Sequence, residues 1–404
     1  MSREAGVCRV PGHTSSQGMF TSRKNRVMII RALFVALAFG VVLAGLPATV
    51  GAQSAEINTY HRLVRNGSDL LNQGDHRGAR EAFEDALRYV DTDATAHLGL
   101  GIAHFHLNDD RAAERELRRA LELAPRQKIA YQVLGDIAYR KDDLEAASAS
   151  WEKALEIDPG DGALKARLDR IRREHSTEKD FNRDLTSHFS IKYEGRERIE
   201  AGRIILRILE DAYAEVGRAL SYYPDREIAV ILYSSQQFRD VTDAPGWSGG
   251  IYDGKIRIPI GGIEQETPGL RRLLYHEYTH AAVRALTPRV PTWLNEGLAQ
   301  YFEGRDLGSG QKEMLRHLAE AGKLPALGDL EGSFMGLGGG QAAYAYMVSL
   351  SAVRYMADHF GVYRVKMVLE ELSRGADSGR AINNALLVSP QEFEIGWKRS
   401  LERL

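Results

Sequence analysis

The sequence has little of several features that assign a protein to a functional class. Its 404 residues include a single cysteine, Cys8, so a chain that has lost its N-terminus has no disulfide to form. The formal net charge is −2, and no long basic run follows the first fifty residues, so nothing indicates nucleic-acid binding. The glycine-rich stretch from Gly332 to Gly340 lacks the Lys-Ser/Thr ending of a phosphate-binding loop. The composition is otherwise that of an ordinary globular protein, with 44% hydrophobic and 27% charged residues.

The N-terminus has the pattern of an export signal. Basic residues at positions 23–31 precede an apolar run from Ala32 to Leu46, which is shorter than the ~20 residues of a membrane-spanning helix. Small residues follow, and Val50-Gly51-Ala52 fits a signal-peptidase site. We therefore expect residues 1–52 to be a signal peptide region that is cleaved after Ala52. An uncleaved membrane anchor is the alternative.

This signal predicts a periplasmic or secreted protein that keeps no stable membrane span after cleavage. No cysteine follows the apolar run, so a lipid anchor is not supported. Translation could start at any of three methionines: Met1, Met19 or Met28.

Residues 53–175 repeat with a period of 34. Small residues recur at that spacing: Ala79, Ala113 and Ala147, then Ala86, Ala120 and Ala154, then Gly67, Gly101 and Gly135. Larger side chains fill the position between the two helices of each unit: Phe83, Leu117 and Trp151. Turns are predicted at Gly74, Asn108 and Lys141-Asp142. This spacing is the tetratricopeptide (TPR) pattern of paired antiparallel helices, and it predicts three repeats followed by a capping helix from Ala163 to His175.

Such an array usually presents a concave groove to a peptide or a partner protein. We therefore expect a protein partner on this groove, with a simple spacer as the alternative.

A linker is predicted over residues 176–184, and the periodicity then changes. Strands are predicted at His188 to Tyr193, Glu227 to Tyr233, Trp247 to Tyr252 and Lys255 to Ile260, the last two joined at Asp253-Gly254. A long amphipathic helix is predicted at Arg198 to Leu220. Helical patterns dominate the sequence after these strands, so residues 185–404 are predicted to form an α+β domain. The predicted fold is therefore multidomain: an all-α solenoid followed by an α+β domain.

The most informative residues of this domain are His276, Glu277 and His280. Histidines four apart lie on one helical face and can bind the same ion, while Glu277 can reach a metal-bound water. The helix predicted from Leu270 to Leu286 ends near Pro288 and Pro291, and a second helix to Phe302 carries Glu296 as a third ligand. Two helices meeting across this turn predict a site for one zinc ion per chain.

The segments His276 to His280 and Trp293 to Gly297 together resemble the gluzincin metallopeptidases, in particular the peptidase MA-like group. The resemblance covers most of residues 185–404 and implies a zincin-like fold that hydrolyses peptide bonds. It implies that His276, His280 and Glu296 bind zinc and that Glu277 is the general base.

The resemblance also implies two further functional elements. Tyr346 would stabilise the oxyanion, with Tyr344 as the alternative. One strand of the 247–260 hairpin would lie beside the metal and pair with an extended peptide substrate.

Two other functions fit the same residues. The chain could be a TPR scaffold or adaptor whose zincin domain is inactive or structural, although a structural site would not need Glu277. It could also be a zinc hydrolase of a non-peptide bond.

The choice between endopeptidase and exopeptidase stays open, with a slight preference for endopeptidase because no anchor for a substrate amine is identifiable.

Overall fold

The computed structural model describes residues 49–195, 198–242, 249–260 and 263–403. The predicted apolar run Ala32 to Leu46 lies outside these residues, whereas Val50-Gly51-Ala52 lies in the first turn of a long helix. Within the described part of the chain, no helix has both the length and the apolar character needed to cross a bilayer.

The first half of the described chain is a stack of antiparallel helix pairs closed by a single helix. The helices are α1 (Thr49–Gln73), α2 (His76–Leu87), α3 (Ala94–His106), α4 (Asp110–Leu123), α5 (Lys128–Arg140), α6 (Leu144–Ile157) and α7 (Gly162–Glu178). Within each pair the turn is built the same way. A residue with positive φ comes first: Gly74, Asn108 or Asp142. An aspartate follows and caps the second helix through its side chain: Asp75, Asp109 or Asp143.

The 34-residue repeat has a direct packing cause. A Cβ added to Gly67 would lie 2.9 Å from the ring of Phe83, and one added to Gly101 would lie 2.7 Å from Cγ of Leu117. Gly135 faces Trp151 in the same way. Each first helix therefore has a glycine where the large side chain of the second helix packs, and this confirms the predicted pairing of small and large residues.

The array ends later than predicted. The capping helix α7 extends to Glu178, three residues beyond the predicted end at His175. Most of the predicted linker is therefore structured, because its first residues complete α7 and its last residues begin a strand. That strand spans Asn182–Leu185 and is exposed throughout. Its residues therefore do not show the alternation of apolar and polar side chains from which a strand is predicted.

A five-stranded sheet forms the base of the second half. The strands are β1 (Asn182–Leu185), β2 (Phe189–Tyr193), β3 (Ile228–Tyr233), β4 (Ile251–Tyr252) and β5 (Ile256–Pro259), in the order β1-β2-β3-β5-β4. The three inner strands are parallel, and the two edge strands pair antiparallel with their neighbours. The predicted hairpin is present as β4 and β5, with Gly254 at φ +111° in its turn. The predicted positions 247 and 248 lie outside the described residues.

Helices pack on both faces of this sheet and extend beyond it. They are α8 (Ile199–Leu220), α9 (Ser235–Thr242), α10 (Pro268–Leu286), α11 (Thr292–Phe302), α12 (Ser309–Glu320), α13 (Gly339–Phe360), α14 (Val362–Ser373), α15 (Ser378–Leu386) and α16 (Pro390–Leu401). The large core lies between the sheet and helices α8, α10, α11, α13 and α14. Multidomain organisation, with a helical array before an α+β domain, is thus confirmed.

The packing of the array predicts the effect of one added methyl group. Changing Gly101 to Ala should lower the free energy of unfolding by about 1–3 kcal/mol, because Leu117 contributes both a side-chain and a backbone clash. Gly162 is exposed, and a Cβ there meets nothing within 4 Å, so Gly162→Ala should change stability by less than ~0.5 kcal/mol. Urea unfolding followed by circular dichroism checks this, and equal midpoints for the two variants would contradict the packing argument.

Candidate functional site

Two helices and the turn between them place the central residues of the site. The side chain of Thr267 caps the start of α10, and Pro268 occupies its first turn. The helix ends at Leu286, the chain bends at Pro288, and α11 begins directly after Pro291. The two helices pack against each other, so the predicted pair across a proline-containing turn is what the structure contains.

This arrangement brings three potential metal ligands together. Nε2 of His276 and Nε2 of His280 each lie 3.6 Å from Oε2 of Glu296, and the three donor atoms all lie within 4.8 Å of one another. In a tetrahedral zinc site with bonds of ~2.0–2.1 Å, ligand atoms lie roughly 3.3 Å apart. The three side chains are 12–19% exposed, so the cluster is sheltered but open to a small molecule.

The cluster carries features of an ion site. Oε2 of Glu296 is buried and has no hydrogen-bond partner among the described residues. On the other side of the first imidazole, Nδ1 of His276 lies 3.0 Å from Oε2 of Glu303, which turns Nε2 toward the other two donors. Metal-bound histidines are usually oriented by a carboxylate in this way. Two imidazoles and one carboxylate with this outer support fit a divalent cation such as zinc.

Two carboxylates, Glu303 and Asp306, lie soon after the Glu296 position in the sequence, and nothing in the sequence distinguishes them as the partner of a zinc-binding histidine. The structure places Glu303 against His276, whereas Asp306 pairs with Arg354 at 3.3 Å. Oε1 of Glu303 also forms an ion pair with Nε of Arg305 at 2.6 Å.

The charges of the site depend on its burial. Burial by itself would lower the pKa of His276, but Glu296 and Glu303 face its two ring nitrogens and raise the pKa to about 10. Burial lowers the pKa of His280, which favours the neutral imidazole that a metal requires. A proton on His276 therefore offsets part of the negative charge that a bound cation would otherwise balance.

The side chain of Glu277 points into the same region, and its surroundings change its pKa. It is 5% exposed, and burial, reinforced by Glu296 and Glu303, raises its pKa to about 7 against the opposing charge of His276. The backbone N–H of Tyr252 donates a hydrogen bond to its carboxylate. A carboxylate whose pKa lies near neutrality can both accept and return a proton.

With this geometry established, comparisons with known proteins identify the two halves of the chain. A sequence model of the peptidase MA superfamily matches residues 210–402, and a model of the tetratricopeptide repeat matches residues 64–114 and 107–162. The second half of the chain is a peptidase MA superfamily domain. It follows tetratricopeptide repeats, in the predicted order.

No curated protein matches the chain. Among solved structures, the first TPR of Spaghetti (RPAP3) bound to an HSP90 peptide is similar at 20% identity, over 30% of this chain and 94% of that chain, with a TM-score of 0.28. A mutant of the Thermobaculum terrenum O-GlcNAc transferase is similar at 15% identity, over 56% of this chain and 44% of that chain, also with a TM-score of 0.28.

Helix α13 of the peptidase MA domain brings Tyr346 toward the ligand cluster. Gly297 of α11 lies against α13 so closely that a Cβ would be 2.5 Å from the carbonyl oxygen of Ser349. Gln300 of α11 donates from Nε2 to the carbonyl oxygen of Tyr346 at 2.9 Å. Burial raises the pKa of the Tyr346 phenol, and the charges of Glu296 and Glu277 raise it further.

The two predicted tyrosines thus differ in what they face. Only burial raises the pKa of Tyr344, without a contribution from either carboxylate of the site. Because residues two apart project from different faces of a helix, the side chains of Tyr344 and Tyr346 have different surroundings. Sequence reasoning used Gly297 only as part of the motif and missed both its packing role and Gln300. These two residues lie three positions apart and mark the side of α11 that packs on α13.

The unpaired side of the β4 edge faces Glu277. In this two-residue strand, Ile251 and Tyr252 pair with β5 on one side, and no other strand of the described residues pairs with them on the other. The N–H of Tyr252 points away from β5 and reaches Glu277. A Cβ on Gly250 would lie 3.2 Å from Oε1 of Glu277, so the chain entering β4 passes close to the carboxylate.

The raised pKa of Glu277 predicts how metal-free protein responds to pH. Its folded pKa of about 7 exceeds the ordinary value of 4.5, so the folded state gains from the proton below pH ~4.5 and loses that gain as the pH rises through ~7. Above this window the buried charge should cost up to ~3 kcal/mol, at 1.36 kcal/mol per pKa unit. Glu277→Gln should therefore stabilise metal-free protein at about pH 8, with an advantage that shrinks toward pH ~5.

Thermal unfolding of wild type and variant across this pH range measures the effect. Changing Glu320, an exposed glutamate on α12, to Gln provides the control for loss of a carboxylate. A stability difference between wild type and Glu277→Gln that does not vary with pH would contradict the prediction.

Proposed function

We propose that this chain is an exported zinc-dependent peptidase of the gluzincin type. The observation that carries the proposal is the cluster of His276, His280 and Glu296 with the buried carboxylate of Glu277 beside it. A buried base next to a set of metal ligands has a use in hydrolysis and none in a purely structural site.

His276, His280 and Glu296 would hold one zinc ion per chain. Glu303 would fix the first histidine through Nδ1, so that Nε2 is available for coordination. When bound, the zinc would act as a Lewis acid that increases the acidity of a water molecule and polarises the substrate carbonyl.

Glu277 would move the proton. Its carboxylate, with a pKa near neutrality before any cation binds, would accept a proton from the attacking water and later return it to the leaving amine. The positive charge of the ion would lower this raised pKa, which would keep Glu277 ionised and ready to act as a base.

An extended peptide would lie along β4. The outward-facing edge of this strand adjoins Glu277, and a substrate strand that pairs with it would present its carbonyl to the base and the ligand cluster. Tyr346 would donate its hydroxyl hydrogen to the oxyanion that forms when water adds to this carbonyl. The geometry therefore favours a peptide or protein substrate over a small molecule.

Export and partner binding complete the proposal. The basic residues before Ala32 and the small residues around Ala52 support secretion to the periplasm or beyond. The tetratricopeptide repeats support binding of a protein or peptide.

Glu277→Gln should separate metal binding from chemistry. The variant should retain about one zinc per chain by metal analysis, while the rate of hydrolysis of a casein or peptide-library substrate falls by at least ~10²-fold. Zinc-loaded wild type and variant that are equally inert on every substrate would favour the scaffold alternative.

Glu303→Gln is the matched control within the site. It removes the outer carboxylate and leaves the base, so zinc affinity should fall ~10–100-fold while activity at saturating zinc is largely kept. A chain that binds no zinc even after reconstitution would remove the basis of the whole assignment.

Tyr346→Phe tests the oxyanion donor, with Tyr344→Phe as its matched control on the same helix. Loss of the Tyr346 hydroxyl should lower kcat ~10²-fold with little change in KM or zinc content, because the interaction exists only in the transition state. Tyr344→Phe should keep wild-type kcat. Equal effects of the two variants in steady-state kinetics would refute the assignment of Tyr346.

A further inference from the structure

The sheet buries charged residues on the face opposite to α8 and α10. Arg257 lies on β5 and Lys255 directly precedes that strand. Both are 0% exposed, and Lys192 of β2 lies beside them. Three cations in such a position need partners, because an unpaired buried charge is strongly unfavourable.

Among the described residues, the repeat array supplies every acidic partner of these three cations except one. Asp142 accepts from Nζ of Lys255 and from Nζ of Lys192, both at 2.5 Å. On α7, Oε2 of Glu174 lies 3.0 Å from Nη2 of Arg257, and Oε1 of Glu178 lies 3.6 Å from Nη1.

Tyrosines from both halves complete this network. Tyr139 of α5 accepts from Nη2 of Arg257 at 2.6 Å and donates to Glu174 at 2.6 Å. Tyr233 of β3 accepts from Nη1 of Arg257 at 2.6 Å and donates to Glu178. The interface is thus a hydrogen-bonded assembly of charges rather than a loose contact between two domains.

The remaining acidic partner is Asp253, in the turn between β4 and β5. It pairs with Arg257 at 3.2 Å and with Arg170 of α7. Nζ of Lys255, two residues on, lies 4.3 Å from the ring centre of Tyr139. The hairpin turn is therefore held against α5 and α7 by contacts from both.

The hairpin lies on the inner side of the array. Successive first helices contact each other, α1 with α3 and α3 with α5, which is where a curved stack is tightest. Because α5 is one of these first helices and α7 continues the series, the hairpin takes a place on the surface that such arrays use for ligands.

The hairpin also connects the array to the proposed base. Asp253 is bound by Arg170, and the residue before it, Tyr252, donates its backbone N–H to Glu277. Asp253, which the array binds, and Tyr252, which contacts the base Glu277, are thus adjacent residues.

The array also contacts the chain that carries the metal ligands. Nδ2 of Asn108 donates to the carbonyl oxygen of Ala285, near the end of α10, at 2.8 Å. Arg289, in the turn before α11, donates from Nη1 to the carbonyl oxygen of Gln73 at 3.2 Å. The equivalent turns of the three repeats therefore contact the α10 end, the α10–α11 turn and the hairpin.

We infer that the repeat array is a positioning element of the proposed catalytic site, with Arg170, Glu174 and Asp142 holding the β4–β5 hairpin so that β4 lies correctly beside Glu277. This inference rests on the proposed peptidase function. The three residues act through the hairpin and do not touch the substrate.

Arg170→Gln, compared with Arg167→Gln, is the sharpest test. Both arginines lie on α7 and are partly exposed at 31% and 43% of the side chain, so neither substitution leaves a fully buried charge alone. Arg170 holds Asp253, whereas Arg167 pairs with Asp136 and stacks on Trp151 inside the array.

Hydrogen exchange measured by mass spectrometry gives a readout that needs no substrate. Amides of residues 250–257 should exchange at least ~10-fold faster in Arg170→Gln than in Arg167→Gln, with α10 amides and zinc content unchanged. In the active enzyme, kcat should fall ~10-fold in Arg170→Gln only, because small displacements of reacting groups are costly. Unchanged hairpin exchange, or faster exchange with wild-type kcat, would overturn the inference.

Glu174→Gln gives a larger perturbation, with Glu116→Gln as the control. Glu116 pairs with His97 inside the array at 2.9 Å and is also largely buried. Hairpin exchange should increase more in Glu174→Gln than in Arg170→Gln and stay at the wild-type rate in Glu116→Gln. If Glu174→Gln does not fold, the comparison at Arg170 and Arg167 decides the question.

The two proposals fail separately in this design. A wild-type protein that hydrolyses no substrate would remove the peptidase function, while the exchange rates would still decide whether the array orders the hairpin. A wild-type protein that is active, with hairpin exchange insensitive to Arg170, would remove only the positioning role.

Discussion

The structure depends on the burial of Lys255 and Arg257 between the repeat array and the sheet. Apolar side chains could not cover a sheet face that carries two cations without a large desolvation cost, so the layer that buries Lys255 and Arg257 has to supply acidic partners. Asp142, Glu174 and Glu178 meet this requirement and come from the array. The capping helix α7 therefore ends the repeat stack and also forms a layer of the peptidase MA domain. The sheet lies between α7 on one face and α8 and α10 on the other.

The parts of this architecture that follow local rules could be predicted from the sequence. The 34-residue spacing of glycine and alanine identified the array because each repeat solves the same packing problem, and the spacing of His276 and His280 placed both on one helical face. The proline-containing turn brought Glu296 opposite them as expected. Strand β1 could not be predicted, because its residues are polar and exposed and it is ordered only by pairing with β2. The ion pair of Asp142 with Lys255 spans 113 positions in the sequence, and no spacing rule indicates it.

The candidate site places groups together that would repel one another in the absence of a cation. Glu277, Glu296 and Glu303 converge on two imidazoles in a sheltered region, and the metal-free protein balances them with a proton on His276. Such an arrangement lowers stability and is kept at functional sites because the chemistry needs it. Which of Tyr346 and Tyr344 lies near these charges depends on how closely α11 and α13 approach each other at Gly297. That approach is a property of the packed structure, and the helical pattern of α13 alone does not reveal it.

Burial of the hairpin on the inner side of the array limits how the repeats can bind anything else. A partner that used the surface of α5 and α7 would have to displace Asp253 and Lys255 from Arg170 and Tyr139. It would also leave Arg257 without its two acidic partners on α7. The cost of that displacement would appear in β4, because the hairpin turn and the edge beside Glu277 are adjacent in the chain. By thermodynamic linkage, a ligand that binds there more weakly when the hairpin is docked must in turn disfavour the docked hairpin. A partner bound at the inner surface of α1 and α3 would face no such competition, so the position of binding along the array determines whether it is coupled to the site.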